Sequence, residues 1–268
     1  MKFAIINRGD ENSKKVQSYI EEKLRLKGLI YDENSPDYLI TIGGDGTFLL
    51  AVNKYYRNKD ILFISVNTGS FGYLCEFEVE EIDNLIKNLG NFPRREISLL
   101  KCEIKEDKKD EIDPYFMVNT ELYALNEFRI SSTKGKTLQF DVSINDTFLE
   151  TLRGDGCVIS TSVGSSGVAR SMGGALVDNE IEMIQFVENA PILNHKYGSL
   201  RSAFVLSKEK VIKLNNFSHE YEIFYDCENV SSINQNTTVE VKLSDKKIRI
   251  IANPNKNYIA KTSKSFIR

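Results

Sequence analysis

The chain has 268 residues, 41% of them hydrophobic, and a formal net charge of −3. That length suits two ordinary domains and supplies enough apolar side chains for a sizeable core. The near-balanced charge excludes both the basic footprint of a nucleic-acid binder and the strong acidity of a disordered chain. The apolar run at residues 1–7 is too short for a signal peptide, and no stretch approaches the ~20 apolar residues of a membrane span. The four cysteines, Cys75, Cys102, Cys157 and Cys227, stand far apart with no C-x-x-C pair, so they read as buried thiols in a reducing compartment. A soluble, cytoplasmic protein without a membrane or nucleic-acid partner is expected.

Apolar runs of strand length alternate with amphipathic stretches through residues 1–96, which predicts an α/β domain around a parallel sheet. Residues 3–6 form its first strand. Asn12 and Ser13 then offer helix-capping oxygens, Val16, Tyr19, Ile20 and Leu24 fall on one helical face, and Gly28 ends the helix. The strand at 38–42 runs into Gly43-Gly44-Asp45-Gly46-Thr47, a helix is expected over 47–56, and a strand over 61–66. A last helix carries Ile82, Leu85, Ile86 and Leu89 before Gly90. From residue 97 the period changes to two, as in Phe140, Val142 and Ile144, and again in Val239, Val241 and Leu243 then Ile248 and Ile250, with turn residues between runs. An antiparallel, β-rich domain is therefore expected over 97–252. The mixed-sign stretch 105–113 reads as a solvated hairpin loop. The polar tail 253–268 either frays or packs back on the first domain.

Three glycines in four residues, between a buried strand and a helix, let backbone N–H groups approach phosphate oxygens, and the helix N-terminus adds favourable partial charge. Many strand-to-helix turns carry glycines merely to turn. Asp45 narrows the reading, because a carboxylate in that place would repel a phosphate. It suggests a metal-bridging ligand or a base that takes a proton from an attacking hydroxyl. The alternative is an N-cap for a helix beginning at Thr47.

The G-G-D-G-T sequence after a strand resembles the phosphate loop shared by NAD kinases, diacylglycerol and sphingosine kinases and, in variant form, phosphofructokinases. Four further segments resemble NAD kinases in particular: Asn67-Thr68-Gly69-Ser70-Phe71-Gly72-Tyr73-Leu74, the pair Asn126-Glu127 after Leu125, Arg153-Gly154-Asp155-Gly156 leading to Thr161, and Gly173-Gly174-Ala175-Leu176-Val177. They follow the family's order and spacing across two thirds of the chain, and Tyr225-Asp226 extends the match. The chain thus looks like a small bacterial member of the ATP-NAD kinase family.

This resemblance implies an α/β nucleotide-binding domain followed by an all-β domain, and transfer of a phosphoryl group from ATP or polyphosphate to the 2′-hydroxyl of the adenosine ribose of NAD. It implies Asp45 as general base, Gly43, Gly44, Gly46 and Thr47 as the phosphate loop, and a divalent cation, Mg or Mn, with no side-chain ligand assigned. Asn126 and Glu127 would bind the adenosine part of NAD, and Asp155, with Arg153 nearby, the nicotinamide end. Gly46, Ser166, Gly167, Val168, Ser171 and Ala190 complete the implied NAD contacts, and a homodimer or homotetramer is implied. The sequence departs from the family's T-P-x-G-S-T-A-Y pattern at Ser162, in place of proline, and at Val168, in place of the stacking tyrosine. Loss of that ring costs about 1–3 kcal/mol of base stacking, or roughly tenfold to a hundredfold in dinucleotide affinity. Two other readings are a lipid kinase of the diacylglycerol type, which would share only the glycine loop, and an NAD-binding regulator with little turnover, motivated by Val168. His195 and His219 stand apart from any carboxylate pattern and support neither a metal site nor a catalytic triad.

Overall fold

Continuous apolar strands linked by helices build the first part of the chain, and alternating strands build the rest. The computed structural model describes residues 1–108, 116–131, 135–226, 228–256 and 258–267. Cys227 and residues 109–113 of the charged stretch lie outside the described residues. In chain order come β1 (Lys2–Asn7), α1 (Glu11–Leu26), β2 (Ile30–Tyr31), β3 (Tyr38–Gly43), α2 (Asp45–Tyr55), β4 (Leu62–Asn67), β5 (Phe77–Glu78), α3 (Ile82–Lys87), β6 (Arg94–Lys108) and β7 (Phe116–Ala124). There follow β8 (Glu127–Ser131), β9 (Leu138–Ile144), β10 (Thr147–Gly154), β11 (Gly156–Thr161), α4 (Val168–Ser171), β12 (Met183–Asn189), β13 (Phe204–Ser207), β14 (Val211–Asn215), β15 (Tyr221–Tyr225), β16 (Glu228–Ile233), β17 (Thr237–Ile251) and α5 (Tyr258–Phe266). Two compact units result, Met1–Ile97 together with Lys246–Arg268, and Ser98–Asp245.

In the first unit β2, β1, β3 and β4 pair in that order, all parallel, and Arg249 and Ile250 of β17 pair in parallel with Leu62 and Phe63 of β4. Every residue of β3 and β4 is buried, as expected for strands covered on both faces. The order reverses between β1 and β3, since β2 lies on one side of β1 and all later strands on the other. In an open α/β sheet that reversal leaves a crevice at the carboxyl ends of the strands, where ligands bind.

The helices of this unit correct three sequence expectations. The N-cap of α1 is Asp10, whose carboxylate accepts the Ser13 N–H at 3.0 Å, so Asn12 and Ser13 lie inside the helix. Val16, Ile20 and Leu24 are buried, but Tyr19 is 39% exposed and donates its hydroxyl to Asp83. Helix α2 starts at Asp45, two residues before Thr47, because the extended Gly44 already offers its carbonyl to the N–H groups of Thr47 and Phe48.

In the second unit one antiparallel sheet runs β13-β12-β11-β8-β15-β16, and β10-β9-β14 pairs onward to the first half of β17. Phe128, Phe140, Phe186 and Phe217 are almost wholly buried in its core, each contributing about 1.5–3 kcal/mol of hydrophobic stabilisation. The two apolar runs read in β17 belong to a single 15-residue strand, with residues 244–247 continuing it rather than turning. No helix among the described residues is long and apolar enough to cross a membrane.

Candidate active site

The carboxyl ends of β1, β3 and β4 carry the loops that contain the sequence-predicted phosphate site. Gly43 closes β3, and its carbonyl accepts the Thr68 N–H at 3.0 Å. A Cβ at Gly43 would overlap the Thr47 side chain and stand 3.2 Å from the Arg8 Cβ, so only glycine fits this close approach. Gly44 caps α2 through its backbone alone. The first N–H groups of a helix have no intrahelical acceptor and remain available to an anion.

Asp45 does not serve as an N-cap. Its Oδ2 accepts the Tyr73 N–H at 3.1 Å and its Oδ1 the Leu74 N–H at 2.8 Å. Burial pushes the Asp45 carboxyl above its ordinary range, opposed by these two hydrogen bonds and by the charge of Lys261. An ionised carboxylate offers about four lone-pair sites, so one remains on each oxygen after the two backbone bonds. The turn that supplies these N–H groups is fixed by Asn67. Its side-chain oxygen accepts the Gly69 N–H at 3.0 Å, its amide nitrogen donates to Glu78 at 3.0 Å, and Gly72 leaves no room for a Cβ against it.

Arg8, which the sequence reading passed over, belongs to the same place. It follows β1 directly, pairs with Asp10 at 2.7 Å, and holds its guanidinium 3.2 Å from where a Gly69 Cβ would be. Its position immediately after a strand adjoining the order reversal was the available signal.

The second unit gathers another set of sequence-predicted residues around the end of β11. Asn126 directly precedes β8 and Glu127 opens it, pairing with Ser160 of β11. Both carboxylate oxygens of Asp226 bind this corner, accepting the N–H groups of Leu125 at 3.0 Å, Asn126 at 2.8 Å and Glu127 at 3.3 Å. Thr161 closes β11 and ties it to the corner by donating its hydroxyl to the Leu125 carbonyl at 2.8 Å. A tight turn at Val163–Ser166 then leads into α4. A Cβ at Gly164 would collide with the Asn126 backbone, and one at Gly167 would stand 3.0 Å from Glu127 Oε2.

Glu127 is 4% exposed and Asn126 7%. Glu127 Oε2 and Asn126 Oδ1 are buried without a hydrogen-bond partner. Burial first, then the neighbouring Asp226 charge, pushes the Glu127 carboxyl up to about 8, against the pull of Arg129 and of the Val168 N–H. An orphaned amide oxygen and an orphaned carboxyl oxygen, the latter able to donate when protonated, suit a ligand that brings both donors and acceptors, such as an exocyclic amine or sugar hydroxyls. Ser166 closes the turn and Ser171 ends α4, each donating its hydroxyl to a backbone carbonyl, of Val163 and Val168 respectively. Val168 is half-buried at the start of α4.

Arg153, Asp155 and Ala190 form a separate group at the opposite end of β11, a strand of six residues, or roughly 16–20 Å away. The Arg153 guanidinium donates to Gln139 at 3.0 Å and lies 4.3 Å from the centre of the Tyr197 ring. Asp155 is exposed, with its N–H bound to the Asn189 carbonyl. Ala190 adopts φ 45°, and its carbonyl packs against Gly154. Among the described residues no group of three or more His, Cys, Asp or Glu side chains stands together as a ready-made metal site.

Comparison with known proteins places the chain in a family. Residues 7–93 match the family model of the ATP-NAD kinase N-terminal domain, and residues 125–253 that of the ATP-NAD kinase C-terminal domain. NAD kinase 1 of Oceanobacillus iheyensis is 35% identical over 211 residues, 78% of this chain and 76% of that protein. NAD kinase 1 of Listeria innocua is 36% identical over 219 residues, 80% of this chain and 79% of that protein. Among solved structures, yeast NADH kinase complexed with NADH superposes with a TM-score of 0.84 at 16% identity, covering 98% of this chain and 86% of that one. An Archaeoglobus fulgidus NAD kinase in complex with ATP gives 0.77 at 22% identity, covering 98% and 99%. At those identities the two structures establish the fold, an α/β domain joined to an antiparallel β-rich domain. The matches to both domain models and to relatives along most of the sequence make this chain a member of the ATP-NAD kinase family and an enzyme of the NAD kinase class.

Proposed function

We propose that the chain transfers the terminal phosphoryl group of ATP, or of polyphosphate, to the 2′-hydroxyl of the adenosine ribose of NAD, giving NADP. One observation carries the mechanism: the Asp45 carboxylate is withheld from helix capping and held by the Tyr73 and Leu74 N–H groups, with a lone pair left on each oxygen. In this reading Asp45 accepts a hydrogen bond from the 2′-hydroxyl and takes its proton as that oxygen bonds to the terminal phosphorus and the bond from this phosphorus to the bridging oxygen breaks, releasing ADP or a shortened polyphosphate. Burial raises the basicity of Asp45, which brings a carboxylate nearer to the operating pH of a general base. The backbone of Gly43 to Thr47 and the Arg8 guanidinium receive phosphate oxygens, and alignment supplies most of the acceleration. Asn126 Oδ1 and the Glu127 carboxyl bind the adenosine part, while Ser166, Gly167, Val168 and Ser171 wall it. Asp155, with Arg153 and Ala190, is assigned to the nicotinamide end.

A divalent cation, Mg or Mn, would sit on the substrate phosphate oxygens, the kind of donor that magnesium favours, with no side chain of this chain assigned as its ligand. Bound there, it would screen the charge of the phosphates. The edge strand β13 leaves Phe204 and Val205 partly exposed, which supports a homo-oligomer formed through the second unit. The buried free thiols of Cys75, Cys102 and Cys157 suit the reducing cytoplasm.

The test is NADP formation from NAD, ATP and magnesium. Asp45→Asn should lower turnover by at least a hundredfold, within the range of lost general-base catalysis, and leave NAD affinity within a few fold. Turnover retained in that variant would remove Asp45 from the role.

A further inference from the structure

Asp45 is oriented by two N–H groups that belong to an irregular turn, residues 67–76, between β4 and β5. Such groups are only as fixed as the turn that carries them. Asn67 anchors the beginning of the turn, but Tyr73, which provides one of the two donors, is held by a different element. Its side chain is 4% exposed, and its hydroxyl lies 3.1 Å from Thr262 Oγ1 on α5. The Tyr73 ring meets Tyr258 edge-on with centroids 5.9 Å apart and Phe266 at 5.3 Å, and Phe71 meets Phe266 at 5.9 Å. Tyr258, Thr262 and Phe266 recur every four residues, so one face of α5 covers the turn.

The helix is itself anchored beside this contact. Glu76, 5% exposed, accepts the Asn253 N–H at 3.1 Å and the Lys261 ammonium at 3.1 Å. Asn253 returns its amide to the Glu76 carbonyl at 3.2 Å and to Glu81 at 2.8 Å. Each end of the turn is thus bound, by Asn67 at its start and by the tail at Phe71, Tyr73 and Glu76.

We infer that the C-terminal helix α5, acting through Tyr73, is a positioning element for Asp45: it clamps the turn whose N–H groups aim the carboxylate. The inference rests on Asp45 being the base. Lys261 adds to it, since its charge favours the ionised carboxylate. Loosening the clamp displaces the base and leaves the other groups assigned to NAD and ATP in place, so kcat falls much more than KM changes. Loss of the two donors also raises the Asp45 carboxyl further, and the acidic limb of the pH profile moves to higher pH.

The experiment uses the full chain with two variants, Thr262→Val, which removes the hydroxyl and with it the contact to Tyr73 and the hydrogen bond to the Tyr258 carbonyl, and Phe266→Ala, which removes two ring contacts. Turnover per folded molecule, KM for NAD and ATP, the kcat profile against pH, and hydrogen exchange at the Tyr73 and Leu74 amides are measured. Phe266→Ala should lower kcat about tenfold to a hundredfold, as a small displacement of a reacting group does. Thr262→Val should lower it severalfold. Both should leave KM within twofold, shift the acidic limb upward and speed exchange at the two amides, and Phe266→Tyr should restore kcat. Unchanged kcat and pH profile in Thr262→Val and Phe266→Ala would overturn the inference, as would unchanged amide exchange. Should Asp45→Asn keep its turnover, the base assignment fails instead, and the amide exchange still reports whether α5 clamps the turn.

Discussion

Replacing Glu127 by glutamine removes a charge without changing shape, and the pH dependence of its effect tests the buried acceptor corner. The Glu127 carboxyl moves from an ordinary 4.5 up to about 8 on folding, through burial and the adjacent Asp226. A folded-state value above the unfolded one means that the folded protein holds the proton more tightly. Glu127 therefore costs nothing below about pH 4.5, and stability is lost as pH rises through that window to about 8. At full ionisation the loss is on the order of 3–5 kcal/mol for a shift of this size. In a chain of this length that corresponds to roughly 6 °C or more in melting temperature. Glu150 is pushed to about 7 by burial and Glu188, and it adds a slope of the same sign. That slope is present in both proteins and cancels in their difference. Melting of ligand-free wild type and Glu127→Gln from pH 5 to pH 9 should give a small difference at pH 5 that grows in favour of the variant up to about pH 8 and then levels. A difference that stays constant across the range would refute a buried carboxyl at this corner.

Asp226→Ala leaves three N–H groups without their acceptor, and hydrogen bonds to a charged group are worth about 1.5–3 kcal/mol each. Because the variant also relieves Glu127 of a like charge, a net loss of about 2 kcal/mol is expected in urea unfolding, together with weaker NAD binding. A loss below about 0.5 kcal/mol would mean that the corner holds itself without Asp226. Val168→Tyr restores an aromatic face beside Glu127 and should tighten NAD binding about tenfold to a hundredfold by calorimetry. Unchanged affinity would show that stacking is not what this position lacks.

Much of the architecture is legible in the sequence because it depends on short-range patterns. The continuous apolar runs at β3 and β4, the i, i+4 recurrence of Val16, Ile20 and Leu24, and the period-two alternation of Phe140 and Val142 each state which faces will be covered. The glycine loop is equally legible, since Gly43 must admit Thr47 and Arg8 at close range. Local reading was less sure where two nearby oxygens compete: Asp10 caps α1 in place of Asn12 or Ser13, and Tyr19 turns outward to Asp83. By itself, then, the sequence determined the two kinds of sheet, the loop and the identity of the candidate base and acceptors. Only the tertiary structure decided what holds them. Asp226 reaches Asn126 across 100 residues, and Thr262 reaches Tyr73 across 189. Periodicity and capping act within a few residues, whereas these contacts form only after the strands have paired, so no local pattern could announce that the polar tail would become a helix behind Asp45.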